Sequence, residues 1–128
     1  VAIDGLPIPP KEAQRIVLFL RENEMHELGL LFYHYVCRRA GYRTYYLGQN
    51  VPFEDLVKVV GTHKPDILLT SITSNTNSMS AETYLKKMSN AFPDLRILAS
   101  GYQVSELGEL GLQNVTLFKN SLLLKDLI

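Results

Sequence analysis

A glutamate, a histidine and a glycine at close spacing are the residues of this sequence best suited to chemistry. They are Glu24, His26 and Gly29, in the stretch RENEMHELGLL that joins an apolar run to a helix pattern. An imidazole at such a turn can ligate a metal, and a carboxylate two residues earlier can accept the other ring N–H and fix the tautomer. A glycine in the first helical turn lets a planar ligand approach the backbone. The alternative is an exposed loop histidine, a solvated glutamate and a glycine packed on the sheet.

The alternation of apolar runs with helical patterns predicts the fold that must position these residues. Strands are predicted from runs of apolar and β-branched residues at 15–20, 43–48, 66–71, 96–100 and 115–118. Helices are predicted near 27–40, 52–62, 80–91, 103–110 and 121–128. Strands alternating with helices indicate parallel crossovers with helices on both faces. We therefore expect an α/β fold with a doubly wound, five-stranded parallel sheet, flavodoxin-like (Rossmann-like) in strand order.

The opening VAIDGLPIPPKEAQ differs in character from the rest of the chain. It holds a Pro-Pro pair and no hydrophobic period, which predicts a linker over residues 1–13. The remaining residues, 14–128, have the length of one domain. We expect this chain to be a piece of a longer protein.

Composition excludes several functional classes. The 13 basic and 13 acidic residues cancel, and no basic stripe stands out, so we expect no direct nucleic acid binding by this segment. The single cysteine, Cys37, suggests helix packing and a reducing cytoplasm. No run of about 18 apolar residues is present, so no membrane span is predicted. Core and rim packing, rather than base stacking, is expected of Tyr33, Tyr35, Tyr42, Tyr45 and Tyr46.

In such a sheet, ligands bind in the crevice at the carboxyl ends of the strands. The predicted contact segments are RENEMH, QNVP, SITSNTN and SGYQ. A phospho-receiver needs an aspartate at the end of strand three, where Ser71 stands here. The three carboxylates of RENEMHE would repel the phosphate of a flavin, and the dinucleotide pattern GxGxxG is missing from this turn. With these three kinds of site set aside, the Glu-x-His-x-x-Gly triplet is the remaining candidate for ligand binding at this turn.

Three parts of the sequence together resemble the family of cobalamin-binding domains. That family shows Asp-x-His-x-x-Gly, then Ser-x-Leu, then Gly-Gly. Here the triplet ends at Gly29, Ser71-Ile72-Thr73 follows after residues 30–70, and Ser100-Gly101 follows after residues 74–99. The resemblance extends from about residue 14 to the end of the chain.

The resemblance implies a role for each matching residue. His26 would be the lower axial ligand of cobalt, displacing the nucleotide base of the cofactor, and Glu24 would orient it. Ser71 would bind the displaced base in a slot between strands, with Thr73 beside it. Gly101 would keep that slot narrow. A base buried in a sheet crevice needs such small side chains and a few polar contacts.

The sequence departs from the family pattern at three positions. Glu24 replaces Asp, Thr73 replaces Leu, and Ser100 replaces the first Gly of the pair. Compared with the family residues, Glu24 has a longer side chain with which to reach the histidine. Thr73 takes away an apolar wall of the slot, and Ser100 adds a side chain where none is expected. One alternative is therefore an apo interaction module with a degenerate site.

The continuation LLFYHYVCRRAGYRTYYLGQNVPFEDL, residues 30–56, resembles the C-terminal domain of MerR-type transcription regulators. That group includes adenosylcobalamin-dependent light sensors. The resemblance implies a sensory domain that is not an enzyme, with adenosylcobalamin as cofactor. Its partners would be an upstream DNA-binding domain and a helical cap, and the full-length protein can be an oligomer. The rival is a corrinoid-carrying domain of a methyltransferase or mutase. The first helix is apolar nearly all round, which suggests burial against a neighbouring domain.

Overall fold

The computed structural model describes residues 5–75 and 78–128. Residues 1–4 of the predicted linker, and Thr76 and Asn77 of the predicted SITSNTN contact segment, lie outside the described residues. The strands are β1 (Arg15–Arg21), β2 (Arg43–Val51), β3 (Ile67–Ser71), β4 (Arg96–Ser100) and β5 (Val115–Leu117). The helices are α1 (Leu28–Arg39), α2 (Phe53–His63), α3 (Ala81–Ala91), α4 (Tyr102–Ser105) and α5 (Ser121–Leu127).

The five strands form one parallel sheet in the order β2-β1-β3-β4-β5. This order confirms the predicted doubly wound, flavodoxin-like α/β fold. The chain moves from β1 to one side to form β2, and then crosses to the other side of β1 to form β3. The strand order therefore reverses at β1 and β3, and a ligand crevice opens at their carboxyl ends.

Strand β1 is the centre of the hydrophobic core. Ile16, Leu18 and Leu20 pack in the layer that contains α1 and α5, whereas Val17 and Phe19 pack against α2 and α3. Successive side chains of a strand point to opposite faces, and here both faces are covered, so the whole run is apolar. Each of these fully buried side chains contributes roughly 1.5–3 kcal/mol. The turn that follows β1 is thus attached to the best-anchored element of the domain.

The prediction of a fourth helix over 103–110 was wrong beyond its first turn. Helix α4 ends at Ser105, and the chain then runs without regular structure to β5. Gly108 and Gly111 lie in this segment, and Gly111 has a φ of +69°. Glycine is a poor helix former, and the apolar spacing of Leu107 and Leu110 serves packing against the core instead.

The aromatic residues of α1 and β2 pack against neighbouring rings. His34 is half-buried, stacks on Tyr46 at 4.8 Å and pairs with the Thr44 hydroxyl at 2.8 Å. His63 ends α2 and stacks on Tyr45 at 4.1 Å. Cys37 is fully buried, as expected of a packing residue. None of the described helices has the length and apolar character needed to cross a membrane.

The ends of β3 and β4 approach each other closely at Gly101. This glycine has a φ of +108°, and a Cβ placed on it would lie 2.5 Å from the carbonyl oxygen of Ile72. Ile72 N–H donates to the Ser100 carbonyl at 2.7 Å, and Gln103 N–H donates to the Ile72 carbonyl at 2.9 Å. The backbone leaves no room for a side chain, so the exits of the two strands are fixed relative to each other.

Replacing Gly101 by alanine is therefore expected to destabilise the domain. Strain of this kind costs about 1–3 kcal/mol, measured as the loss in free energy of unfolding by denaturant titration. The matched control is Gly61→Ala in α2, where a Cβ would meet nothing within 4 Å. That exposed helical position should gain up to about 1 kcal/mol. A Gly101→Ala protein as stable as wild type would show that the close approach does not exist.

Candidate functional site

The turn after β1 contains a buried carboxylate with three hydrogen-bond donors. Glu24 is 1% exposed, and its Oε1 accepts the backbone N–H groups of Thr73 and Ser74, each at 2.8 Å. Its Oε2 lies 2.9 Å from Nδ1 of His26. Thr73 and Ser74 belong to the turn after β3, which is next to β1 in the sheet. The carboxylate thus joins two turns and the imidazole.

The charge state of Glu24 follows from these contacts. Burial by itself raises the pKa of this carboxyl, but hydrogen bonds from the Ser74 backbone, the His26 side chain and the Thr73 backbone outweigh it and hold the pKa below its ordinary value. Glu24 is therefore ionised at neutral pH. The alternative of a solvated surface glutamate is wrong.

The contact to Glu24 fixes the tautomer of His26. An ionised carboxylate only accepts hydrogen bonds, so in the neutral ring Nδ1 carries the proton and Nε2 has the lone pair. The His26 side chain is 65% exposed, and Nε2 has no protein partner among the described residues. Within that same part of the chain, no three potential ligating side chains come together. One imidazole nitrogen is thus offered, which suits an axial position on a preformed metal macrocycle better than a bare metal ion.

A buried arginine at the end of β1 was not predicted. Arg21 donates from its guanidinium to the Met79 carbonyl at 2.8 Å and lies 5.3 Å from the ring centroid of Tyr84. Burial lowers the pKa of Arg21, while Tyr84 and Glu24 oppose that shift. This cation offsets the negative charge of Glu24 and attaches the end of β1 to the segment before α3. Its position directly before the acidic turn was the available signal.

A cleft of about 600 Å³ lies at the carboxyl ends of the strands. It brings together five of the seven predicted site residues: His26, Gly29, Ser71, Thr73 and Gly101. The other two lie immediately behind its surface: Glu24 beneath His26, and Ser100 at the end of β4. Residues separated by up to 77 positions in sequence, from Glu24 to Gly101, therefore form one site.

The mouth of the cleft is open at Gly29. This residue is exposed, and a Cβ placed on it would meet nothing within 4 Å. The alternative of a glycine packed against the sheet is therefore wrong. The backbone at the start of α1 is accessible to a large ligand.

The floor of the cleft offers a free hydroxyl. Ser71 is 6% exposed, and its side chain has no hydrogen-bond partner among the described residues. Ser100 is fully buried and donates to the Tyr33 hydroxyl at 3.1 Å. The side chain that replaces the expected glycine is thus held beneath Tyr33 and does not line the cleft. A hydroxyl that lines a cleft without a protein partner is a polar group available to a ligand.

Five further lining residues were not predicted: Glu27, Leu28, Tyr33, Ser105 and Lys119. Tyr102 also lines the cleft. Tyr33 lies four positions after Gly29, and this spacing places both on one face of α1. Tyr102 was part of the predicted SGYQ contact segment. Lys119 follows β5, whose loop was not among the predicted contacts.

The chain belongs to the family of cobalamin-binding domains. The family model described as "B12 binding domain" matches residues 14–117, which confirms the resemblance seen in the motifs. A comparison with curated protein sequences gave no significant match.

Solved structures of corrinoid proteins share this fold. A novel cobalamin-binding protein from Desulfitobacterium hafniense DCB-2 is 21% identical, with a TM-score of 0.69 over 89% of this chain and 56% of its own. The monomethylamine corrinoid protein of Methanosarcina barkeri is 19% identical, with a TM-score of 0.71 over 92% of this chain and 59% of its own. The methanol:cobalamin methyltransferase complex MtaBC from the same organism contains a chain that is 18% identical. Its TM-score is 0.72 over 91% of this chain and 44% of its own. The chain thus spans about half the length of these proteins.

Substituting Glu24 by glutamine tests the assigned tautomer without any ligand. The glutamine carbonyl must still accept from Thr73 and Ser74, so its NH₂ group faces Nδ1 of His26. A ring nitrogen that faces a donor gives up its proton, and the neutral ring should change from the Nδ1–H to the Nε2–H form. Long-range ¹H–¹⁵N NMR spectra at a pH where the ring is neutral measure this change.

The spectra contain their own control. His34 pairs with Thr44 and does not contact Glu24, so its signals should stay unchanged in the Glu24→Gln protein. An Nε2–H tautomer for His26 in the wild type would contradict the assignment.

Proposed function

We propose that His26 is the lower axial ligand of cobalt and that this domain is the sensory part of a MerR-type transcription regulator. The observation that carries the first part is the Glu24–His26 pair. A carboxylate held by two backbone amides orients the imidazole with Nε2 free of protein partners among the described residues. Metal-binding histidines are commonly oriented by such a carboxylate, which also raises their basicity.

The remaining residues of the cleft fit the nucleotide tail of cobalamin. With His26 on cobalt, the nucleotide base of the cofactor needs another place. The unpartnered Ser71 hydroxyl and the Thr73 side chain supply polar contacts beside Gly101. The backbone approach at Gly101 keeps the space between β3 and β4 narrow. These features are those of a slot for a flat aromatic base.

The three departures from the family pattern are compatible with this site. Glu24 reaches His26 and two backbone amides at once, so the longer arm keeps the orienting role. Ser100 is paired with Tyr33 and stays out of the cleft. Thr73 lines the cleft, where the leucine of the family pattern would form an apolar wall, and its smaller side chain leaves the cleft open. These observations favour a working site over a degenerate one.

The resemblance of residues 30–56 to MerR-type regulators supports the second part of the proposal. With a net charge of zero, DNA contact would belong to another domain. Leu28 and Phe32 of α1 are 83% and 57% exposed, and Leu28 lines the cleft. Such an apolar rim suits a helical cap over the cofactor. Bound adenosylcobalamin would supply a cobalt–carbon bond at its upper face, and this domain would bind, without catalysing a reaction.

Replacing His26 by alanine should remove the protein ligand from cobalt. Paramagnetic resonance of the bound cob(II)alamin form reports the axial nitrogen directly. In wild type, labelling histidine with ¹⁵N should change the nitrogen splitting from triplets to doublets. In the His26→Ala protein, that isotope effect should vanish.

Two further variants make this test specific. His63 ends α2 and does not line the cleft, so the His63→Ala protein should behave as wild type. Glu24→Gln should bind about 10- to 100-fold more weakly, as expected of a carboxylate that orients a ligand. An isotope effect that persists without His26 would show that another histidine is the ligand.

If another domain of the regulator contacts the DNA, as proposed, this domain alone should not bind a specific DNA sequence. Specific recognition needs clustered lysine and arginine at the phosphates, whereas here 13 positive and 13 negative charges cancel. A gel-shift titration at physiological salt, with and without cobalamin, should show no sequence-selective complex below micromolar protein. Selective binding would mean that the domain itself is the DNA-reading part.

A further inference from the structure

The charges around the cleft are distributed unevenly. Glu24 and Glu27 lie beside His26, at the end of the cleft formed by the turn after β1. Glu27 accepts the Tyr46 hydroxyl at 2.6 Å and is therefore held on the β2 side. Lys119, after β5, is the one lysine or arginine among the described residues that line the cleft. The cleft is thus acidic at one end and basic at the other.

The sheet sets the distance between these ends. Between β1 and β5 lie β3 and β4, so the two strands are three spacings apart, or about 14 Å. Ser71 ends β3 and Gly101 follows β4, so the base slot lies between the acidic end and Lys119. A ligand that reaches from His26 into the slot runs toward the basic end.

The backbone at Lys119 is held in place on both sides. Phe118 is buried, packs edge-on against Tyr33 at 5.1 Å and donates its N–H to the Ala99 carbonyl at 3.0 Å. Asn120 caps α5 by accepting the N–H of Leu123 at 3.0 Å. The Lys119 side chain itself is exposed and lines the cleft. A fixed backbone presents a mobile ammonium group at a defined edge of the site.

Cobalamin has the complementary charge pattern. Its cobalt(III) corrin centre is cationic, whereas its nucleotide tail contains one phosphodiester. With His26 on cobalt, that tail leaves the metal and carries the phosphate toward the slot at Ser71 and Gly101. An ammonium group at this end attracts the phosphate, while the carboxylates at the other end favour the corrin cation.

We propose that Lys119 binds the phosphodiester of the nucleotide tail, and that this contact makes the domain select complete cobalamins over corrinoids without a tail. The inference rests on the proposed function, because it requires the tail to lie in the slot. It assigns to Lys119 a role in specificity.

The test compares the affinities of cobalamin and cobinamide, a corrinoid that lacks the phosphate, ribose and base. Lys119→Ala should weaken cobalamin binding by roughly 3- to 10-fold, as expected for a solvent-accessible ion pair, and should leave cobinamide binding unchanged. Lys119→Glu should weaken cobalamin binding further, and Lys119→Arg should retain it. Lys125→Ala, an exposed residue of α5 that does not line the cleft, is the matched control.

Salt separates the phosphate contact from the base contact. Because ion pairs are screened, the difference between wild type and Lys119→Ala should shrink as ionic strength rises. The loss caused by Ser71→Ala should not depend on salt. Equal effects of Lys119→Ala on both corrinoids, or no effect on either, would identify Lys119 as an ordinary surface lysine and overturn the inference.

Failure of the inference can be distinguished from failure of the proposed function. If wild type shows the histidine isotope effect and Lys119→Ala binds cobalamin equally well, only the role of Lys119 is wrong. If wild type binds cobalamin with the cofactor's own nucleotide base still on cobalt, the tail is not released into the slot and both proposals fail.

Discussion

The arrangement of the site depends on one buried carboxylate. An ionised group inside a protein is costly unless charge and hydrogen bonds compensate it. Glu24 obtains that compensation from two backbone N–H groups after β3 and from His26, with Arg21 as the nearby cation. If any of these partners moved away, part of that compensation would be lost and the buried charge would become more costly. The pairing of β1 with β3 and the orientation of the imidazole are therefore parts of one constraint.

This constraint explains why a glutamate can serve where the family has an aspartate. One carboxylate oxygen faces the imidazole while the other accepts two amides, so the longer side chain spans the gap between neighbouring strand ends. Glutamate has one more rotatable bond than aspartate, and in Glu24 three hydrogen bonds restrain this added freedom. Arg21 adds a favourable charge interaction with Glu24, because its hydrogen bond to the Met79 carbonyl holds the guanidinium near the turn. The departure changes how the histidine is oriented but not whether it is oriented.

The sequence allowed prediction of those features that depend on short stretches. The apolar runs predicted all five strands, since a buried parallel strand needs continuous apolar residues. The helix predicted at 103–110 was wrong beyond Ser105, because the apolar spacing of Leu107 and Leu110 serves core packing in a segment without regular structure. The motifs located the turns of the site, but not the backbone amides that hold Glu24. Those amides, like Lys119, enter the site only through the order of the strands, which spacing along the chain does not encode.

In the proposed regulator, tight binding and signalling would rest on different contacts. A ligand shifts an equilibrium only by the difference in its interactions with the two states. The contacts of this domain, His26 below the cobalt and the slot for the tail, would be the same whichever group occupies the upper face. They would therefore set occupancy and contribute little to the response. Discrimination must come from groups that touch the upper face, and the exposed Leu28 at the rim of the cleft is where such a cap would meet this domain. The lower half of the site can then be rigid, as the fixed Glu24 and Gly101 require, without preventing the protein from responding.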